Sequence, residues 1–197
     1  MPPVADRVAA LILAAGGSRR FGAPKLLARL EGKPLLQHAL DAANASAAAD
    51  VVVIVGDEAD ELLAAVRLGR ARAVRNPDWR TGQASSLRAG VRAVATADAV
   101  IVLLGDQPRV RPSLVDAVLE RQRATGCAAV VSSWKGQRSP PTLLHRSLWP
   151  GIESLHGDIG ARDLLAGLTD VEVVEVTRPL GSLEDVDSPD DLSQLQG

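Results

Sequence analysis

Aromatic side chains are nearly absent from this chain: they make up 2% of its 197 residues, with no tyrosine and a single phenylalanine. Proteins that grip single-stranded nucleic acid stack its bases on aromatic rings inside a basic groove. This sequence encodes neither, since its formal net charge is −2. Cysteine is as scarce. Cys127 stands alone, which excludes a disulfide framework and a cysteine-rich zinc site. No basic group or histidine lies near it in sequence to activate a thiolate, so it reads as a small core residue. His38, His145 and His156 are too scattered to form a metal-ligand set by spacing. No apolar run approaches the ~20 residues of a membrane span, and Met1 to Asp6 lack the charged start and apolar core of a signal peptide. These absences lead us to expect a cytoplasmic protein with no nucleic-acid or membrane partner.

What is present is alternation. Short continuous apolar runs at Val8–Leu13, Val51–Val55, Ala71–Val74, Val100–Leu104 and Ala128–Val131 read as buried strands. Between them lie helical patterns from Pro34 to about Ala48, Glu58 to Leu68, the serines at 85–86 through Val94, and Pro112 to Arg123. Val171–Val176 alternates valine with glutamate and reads as a strand nearer a sheet edge. Residues 134–141 are a loop by composition, and Leu148–Leu155 is helical or turn-like. Ser188 before Pro189-Asp190-Asp191 reads as a helix N-cap with proline and acids in the first turn. This order predicts a single α/β domain over residues 1–197, three layers with a mostly parallel central sheet, and a site along its carboxyl edge.

The chemistry concentrates after the first strand, in L-I-L-A-A-G-G-S-R-R-F-G-A-P-K over residues 11–25. Ala14, Ala15, Gly16 and Gly17 let the backbone turn tightly and approach a ligand. Ser18, Arg19, Arg20 and Lys25 add a hydroxyl and three cations, so the guest of such a loop is a polyphosphate. The spacing is neither the G-x-G-x-x-G dinucleotide fingerprint nor the G-x-x-x-x-G-K-[ST] P-loop. At the end of the fourth strand, Gly105-Asp106-Gln107-Pro108 puts a carboxylate in the crevice where open α/β sheets bind ligands. Asp106 is a hard oxygen donor suited to Mg²⁺. Asn76-Pro77-Asp78-Trp79-Arg80-Thr81-Gly82-Gln83-Ala84-Ser85-Ser86 runs from turn chemistry into a helix start, whose free N–H groups suit a phosphate or a base edge. Asp185 and Asp187 alternate along an extended segment and so share a side.

The loop resembles the signature L-A-A-G-x-S-x-R-x-G-x-x-K of the Rossmann-like nucleotidyltransferases, and within them the molybdenum-cofactor cytidylyltransferase and guanylyltransferase group. The likeness continues through Leu26–Leu36, N-x-x-W-x-x-G-x-x-x-S at residues 76–86, G-D-Q-P at 105–108, G-D-x-G-A-R at 157–162 and D-x-D-S-P-x-D at 185–191. It implies a Rossmann-like nucleotidyltransferase fold, with Ala14, Ala15, Gly16, Gly17, Ser18, Arg20, Lys25, Gly82, Ser86, Gly105 and Asp106 around a nucleoside triphosphate. Arg20, Lys25 and Asp106 are then the catalytic groups. Asp106 and Asp187 hold the metal, Asp187 being preferred over Asp185, and Gln107, Asp158 and Arg162 face the acceptor. A-A-G in the loop and G-D-x-G-A-R later lean toward the cytidylyl branch. The implied reaction is Mg²⁺-dependent transfer of CMP from CTP to the phosphate of a molybdopterin-type acceptor, with a molybdenum hydroxylase apoenzyme as a possible partner. The group's glycine-histidine-proline segment is replaced here by Arg138-Ser139-Pro140-Pro141, which leaves the acceptor open. The alternatives are a donor such as GTP, another small phosphate acceptor (a sugar phosphate, methylerythritol phosphate or phospholactate), or a carrier that binds without turnover.

Overall fold

The computed structural model describes residues 4–16, 21, 24–56, 59–158 and 160–196. Its strands are β1 (Val8–Ala14), β2 (Arg29–Leu30), β3 (Lys33–Pro34), β4 (Asp50–Gly56), β5 (Arg72–Asn76), β6 (Ala99–Leu104), β7 (Ala129–Trp134), β8 (Gln137–His145) and β9 (Val171–Glu175). Its helices are α1 (Leu35–Ala45), α2 (Asp60–Ala64), α3 (Gln83–Ala93), α4 (Pro112–Thr125), α5 (Trp149–Glu153), α6 (Arg162–Ala166) and α7 (Pro189–Gln196). Seven strands form the main sheet in the order β5-β4-β1-β6-β8-β7-β9, and β2 pairs with β3 as a small hairpin. All ladders of the main sheet are parallel except those of β8, which runs against both β6 and β7.

Period-two alternation decides which face each side chain joins. Val8, Ala10 and Ile12 of β1, Val51, Val53 and Val55 of β4, and Ala99, Ile101 and Leu103 of β6 form one core with Leu36 and Leu40 of α1 and Leu114 and Val118 of α4. The residues between them, Ala9, Leu11, Val52, Ile54, Val100 and Val102, form the opposite core with Leu87 and Val91 of α3 and Ile152 of α5. Both faces are covered, as the unbroken apolar runs require. A third, small cluster of Leu30, Leu35 and Val186, with Leu192 and Leu195, fastens α7 beside β2.

The loop expected at 134–141 is largely strand. Lys135 (φ 52°) and Gly136 (φ 79°) make a two-residue turn that sends β8 back along β7. Pro140 and Pro141 fall in the register shift, where Val131 pairs with Thr142 and Ser132 with Ser139. An interrupted ladder tolerates residues without an N–H, and that is why the prolines mislead a reading by composition. The edge position expected for residues 171–176 is found at β9.

The helix expected over Glu58–Leu68 is cut to Asp60–Ala64 because the following residues fold back onto α1. There the Arg70 guanidinium donates to the carbonyls of Ala43 (3.0 Å), Asn44 (2.9 Å), Ser46 (3.0 Å) and Ala48 (2.8 Å). It thereby caps a helix end whose last carbonyls have no intrahelical partner. Arg70→Ala is expected to lower stability by about 1–2 kcal/mol, a charged-donor bond discounted for exposure. Arg70→Lys restores little of this, since an ammonium cannot span four carbonyls. The urea midpoint measures both, and nucleotide binding should be unchanged.

Candidate active site

β1 has β4 and β5 on one side and β6 on the other, so the chain reverses its progression across the sheet between β1 and β6. Crevices at such a reversal, outside the carboxyl ends of the strands, are where open α/β sheets bind ligands. A cleft of about 640 Å³ opens there, bounded by Ala14, Ala15 and Gly16 after β1, Leu104 and Asp106 at the end of β6, and the start of α3.

Three distant segments meet on one cation. Lys25 Nζ donates to Asp106 Oδ2 at 2.7 Å and to Asp187 Oδ1 at 3.0 Å. Burial alone would lower the lysine's pKa, but the neighbouring Asp106 carboxylate, and after it Asp187, outweigh that and hold the ammonium above its ordinary value. The carboxylates are placed by backbone. Val186 N–H donates to the Asp106 carbonyl at 3.0 Å, and Val186, adjoining Asp187 in sequence, is fully buried. Asp191 then accepts from the N–H groups of Asp187 (3.0 Å) and Ser188 (2.7 Å) and from the Ser188 hydroxyl (2.8 Å). The Asp191 N–H donates back to Ser188 Oγ at 3.3 Å, which closes a capping box at the start of α7. The Ser188 hydroxyl first, and then these N–H groups, hold the Asp191 carboxyl below the usual carboxylate range. Asp185 is displaced the other way, raised by partial desolvation and by the Asp106 and Asp187 carboxylates it faces.

On the opposite wall, Asn76 is buried and its amide donates to Ser85 Oγ (2.8 Å) and Ser86 Oγ (3.1 Å). Ser85 spends its hydroxyl on the Gly82 and Asp78 carbonyls, so it fixes the turn. Ser86 borders the cleft, where its own hydroxyl hydrogen can be offered to a ligand. The free donors expected at the start of α3 are in part already used. Gln83 N–H donates to Asp158 Oδ1 (3.3 Å) and Ala84 N–H to the Gly157 carbonyl (3.0 Å). Asp158 therefore caps α3, across 75 residues, and not a helix following it; α6 begins only at Arg162.

The structure thus gathers Ala14, Ala15, Gly16, Lys25, Gly82, Ser86, Asp106, Asp158 and Asp187 around one cleft. Gly105 lies behind it, buried against Leu13, Leu26 and Leu36, and its N–H donates to the Leu13 carbonyl at 3.0 Å. Gln107 is buried too, donating to Ser139 Oγ (2.9 Å) and the Leu183 carbonyl (3.1 Å). It braces the Asp106 turn against β8 and the 183–187 segment instead of facing an acceptor. Arg162 is exposed at the start of α6 and is not among the residues lining the cleft. Gly17, Ser18 and Arg20, and Arg19 beside them, lie outside the described residues. Of the histidines, His145 is buried, accepts from Ser147 N–H, and is held below its ordinary pKa by burial.

Trp79, a position of the 76–86 motif, and Gln83 also border the cleft, though the sequence reading gave neither a site role. The Trp79 ring lies on Gly56 at the end of β4, where a Cβ would stand 3.2 Å from it, and carries the Arg80 guanidinium 4.6 Å from its centroid. A tryptophan in so aromatic-poor a chain was the signal available for it.

Compared with known proteins, the chain matches the sequence profile described as the MobA-like NTP transferase domain over residues 10–173. It is 31% identical over 165 residues to the nicotine blue oxidoreductase of Paenarthrobacter nicotinovorans, covering 80% of this chain and 81% of that one. Among solved structures it resembles the Rv0371c homologue from Mycobacterium sp. strain JC1, with a TM-score of 0.83 and 31% identity over 96% of this chain and 95% of that one. Rv0371c of Mycobacterium tuberculosis H37Rv in complex with manganese superposes with a TM-score of 0.78 and 26% identity, covering 96% of this chain and 98% of the other.

Proposed function

The chain belongs to the MobA-like NTP transferase domain family, and from that premise we propose that it transfers CMP from CTP to the phosphate of a molybdopterin-type acceptor. An acceptor phosphate oxygen attacks the α-phosphorus, the new P–O bond forms, the bond to the bridging α–β oxygen breaks, and pyrophosphate leaves with that oxygen. The observation that carries this reading is the convergence of Lys25, Asp106 and Asp187 in the cleft at the carboxyl ends of β1 and β6. The base and acceptor rest on the motif resemblance alone.

A divalent cation fits the carboxylates. Both are hard oxygen donors, and Asp106 Oδ1 is buried with no hydrogen-bond partner among the described residues. Among those residues no group of three or more His, Cys, Asp or Glu side chains is placed to hold a metal. Asp106 and Asp187 would therefore hold it together with substrate oxygens, the usual arrangement for Mg²⁺. When bound, it supplies charge neutralisation at the phosphates, and the solved relative with manganese is consistent with that. Lys25 would hold the β- and γ-phosphates and stabilise the departing pyrophosphate, with Arg20 proposed beside it. Ser86 and the backbone at Ala14–Gly16 would fix the nucleoside. No side-chain nucleophile is needed, because positioning and electrostatics carry the step. The brace made by Gln107 keeps Asp106 in place during it.

A thermal-shift titration with CTP, GTP, ATP and UTP, each with and without Mg²⁺, tests the donor. Selective stabilisation by CTP that Mg²⁺ strengthens is expected, followed by pyrophosphate release once acceptor is added. Preference for another triphosphate moves the donor and keeps the chemistry. Stoichiometric binding without release turns the reading to a carrier. One relative bears an oxidoreductase name, so NADH and NADPH belong in the same titration; a response to these alone makes the protein a reductase.

A further inference from the structure

We propose that the Lys25 ammonium occupies the cation position of this site before substrates arrive, so that a divalent metal and a triphosphate bind cooperatively by moving one and the same side chain. This rests on the nucleotidyl-transfer reading and adds to it an order of events. The ammonium sits against Asp106 Oδ2 and Asp187 Oδ1 at 2.7 and 3.0 Å, and its side chain is 16% exposed. These are the oxygens a hard cation would take. A metal and an ammonium cannot both sit at hydrogen-bonding or coordination distance from the same oxygens without strong like-charge repulsion in a half-buried site. The ammonium also serves the carboxylates incompletely, since Asp106 Oδ1 stays buried and unpartnered among the described residues. The position is thus charged for a divalent ion and filled by a monovalent one.

The consequences follow from linkage. Metal binding alone must displace Lys25 from two carboxylates. A triphosphate alone must draw Lys25 away from both Asp106 and Asp187. With both ligands present, the metal takes the carboxylates and the phosphates take the lysine. Each ligand then tightens the other by the same factor, and triphosphate without metal is held poorly. The lysine acts here as a positioning residue for the metal as well as a ligand for phosphate.

The chain's lysines are Lys25, Lys33 and Lys135, which makes a direct test simple on the unmodified protein. Acetylation under limiting reagent, read residue by residue by mass spectrometry, reports how freely each amine is offered. Mg²⁺ alone is expected to raise the rate at Lys25 several-fold, while Lys33, paired with Asp41, and Lys135, near Glu184, serve as internal references. CTP added with Mg²⁺ should then protect Lys25 below its starting rate. In parallel, Lys25→Met should bind Mn²⁺ without nucleotide more tightly than the native protein, by on the order of tenfold, a coupling typical of linked sites. Lys25→Arg should not. An unchanged Lys25 rate on adding Mg²⁺, or Mn²⁺ bound no tighter by a folded Lys25→Met, overturns the exchange. If Lys25→Met does not fold, the acetylation result decides alone. Failure of the nucleotide reading looks different: Lys25 then responds to Mg²⁺, but no triphosphate protects it.

Discussion

Asp106→Asn is expected to reduce pyrophosphate release by about three orders of magnitude or more, the scale of losing a group that stabilises transition-state charge, while the protein still melts cooperatively near the native temperature. The asymmetry between the two outcomes follows from where each part of the residue is used. The backbone of Asp106 is structural: its carbonyl accepts from Val186 N–H, and that bond is untouched by the change. The side chain, by contrast, contributes little to the fold, because among the described residues one oxygen lacks a partner and the other meets the Lys25 ammonium. An amide keeps the shape and removes the charge that both Lys25 and a metal require. Lys25 keeps Asp187 as a partner, so the ammonium is not stranded. Pyrophosphate release with saturating CTP, Mg²⁺ and acceptor, set beside a thermal melt, measures both halves. Activity within tenfold of native would remove Asp106 from the chemistry and, with it, the proposed metal site.

The sheet was legible because its strands are buried on both faces. Val51–Val55 and Val100–Leu104 could be placed from apolar continuity alone, and the parallel order followed from the helices between them. What was not legible depended on pairing partners that a linear reading cannot see. Pro140 and Pro141 read as breakers until the register shift opposite Val131 and Ser132 gave them a position without a ladder bond. Asp158 accepts from Gln83 N–H, 75 residues away, a pairing that no local pattern announces. The candidate site divides in the same way. Lys25, Asp106 and Asp187 carry their chemistry in their residue types, so the motif was enough to bring them forward. Gln107 sits in the same motif, but its burial against Ser139 and Leu183 gives it a bracing place that spacing could not reveal. Gly16 is instructive in the opposite sense. Among the described residues a Cβ there would meet nothing within 4 Å. No packing among the described residues demands glycine at that position, so its place in the motif and not its neighbours brought it forward.

Gly82→Ala is expected to cost about 3 kcal/mol or more and to abolish nucleotide-dependent stabilisation, for two reasons that add. The residue has φ 109° and ψ 174°, a region open essentially to glycine, and occupying it with a side chain costs about 1–3 kcal/mol. A Cβ would also stand 2.3 Å from the carbonyl carbon of Gly157 and 2.4 Å from its oxygen. These are backbone atoms, so no rotamer change relieves the clash, and the Gly157-Asp158 backbone must move off α3. Once it moves, Ala84 N–H loses the Gly157 carbonyl and Gln83 N–H loses Asp158, so the helix start that borders the cleft is uncapped and shifted. Gly157→Ala separates strain from clash: its φ is 67°, but among the described residues nothing lies within 4 Å of a Cβ there. That variant should lose only about 1 kcal/mol, the cost of a left-handed backbone in an ordinary residue, and keep its response to CTP. Urea midpoints and nucleotide thermal shifts on the two variants side by side measure the difference. Equal losses would mean that backbone strain alone governs this joint and that the packing of Gly157 and Asp158 against the start of α3 does not shape the cleft.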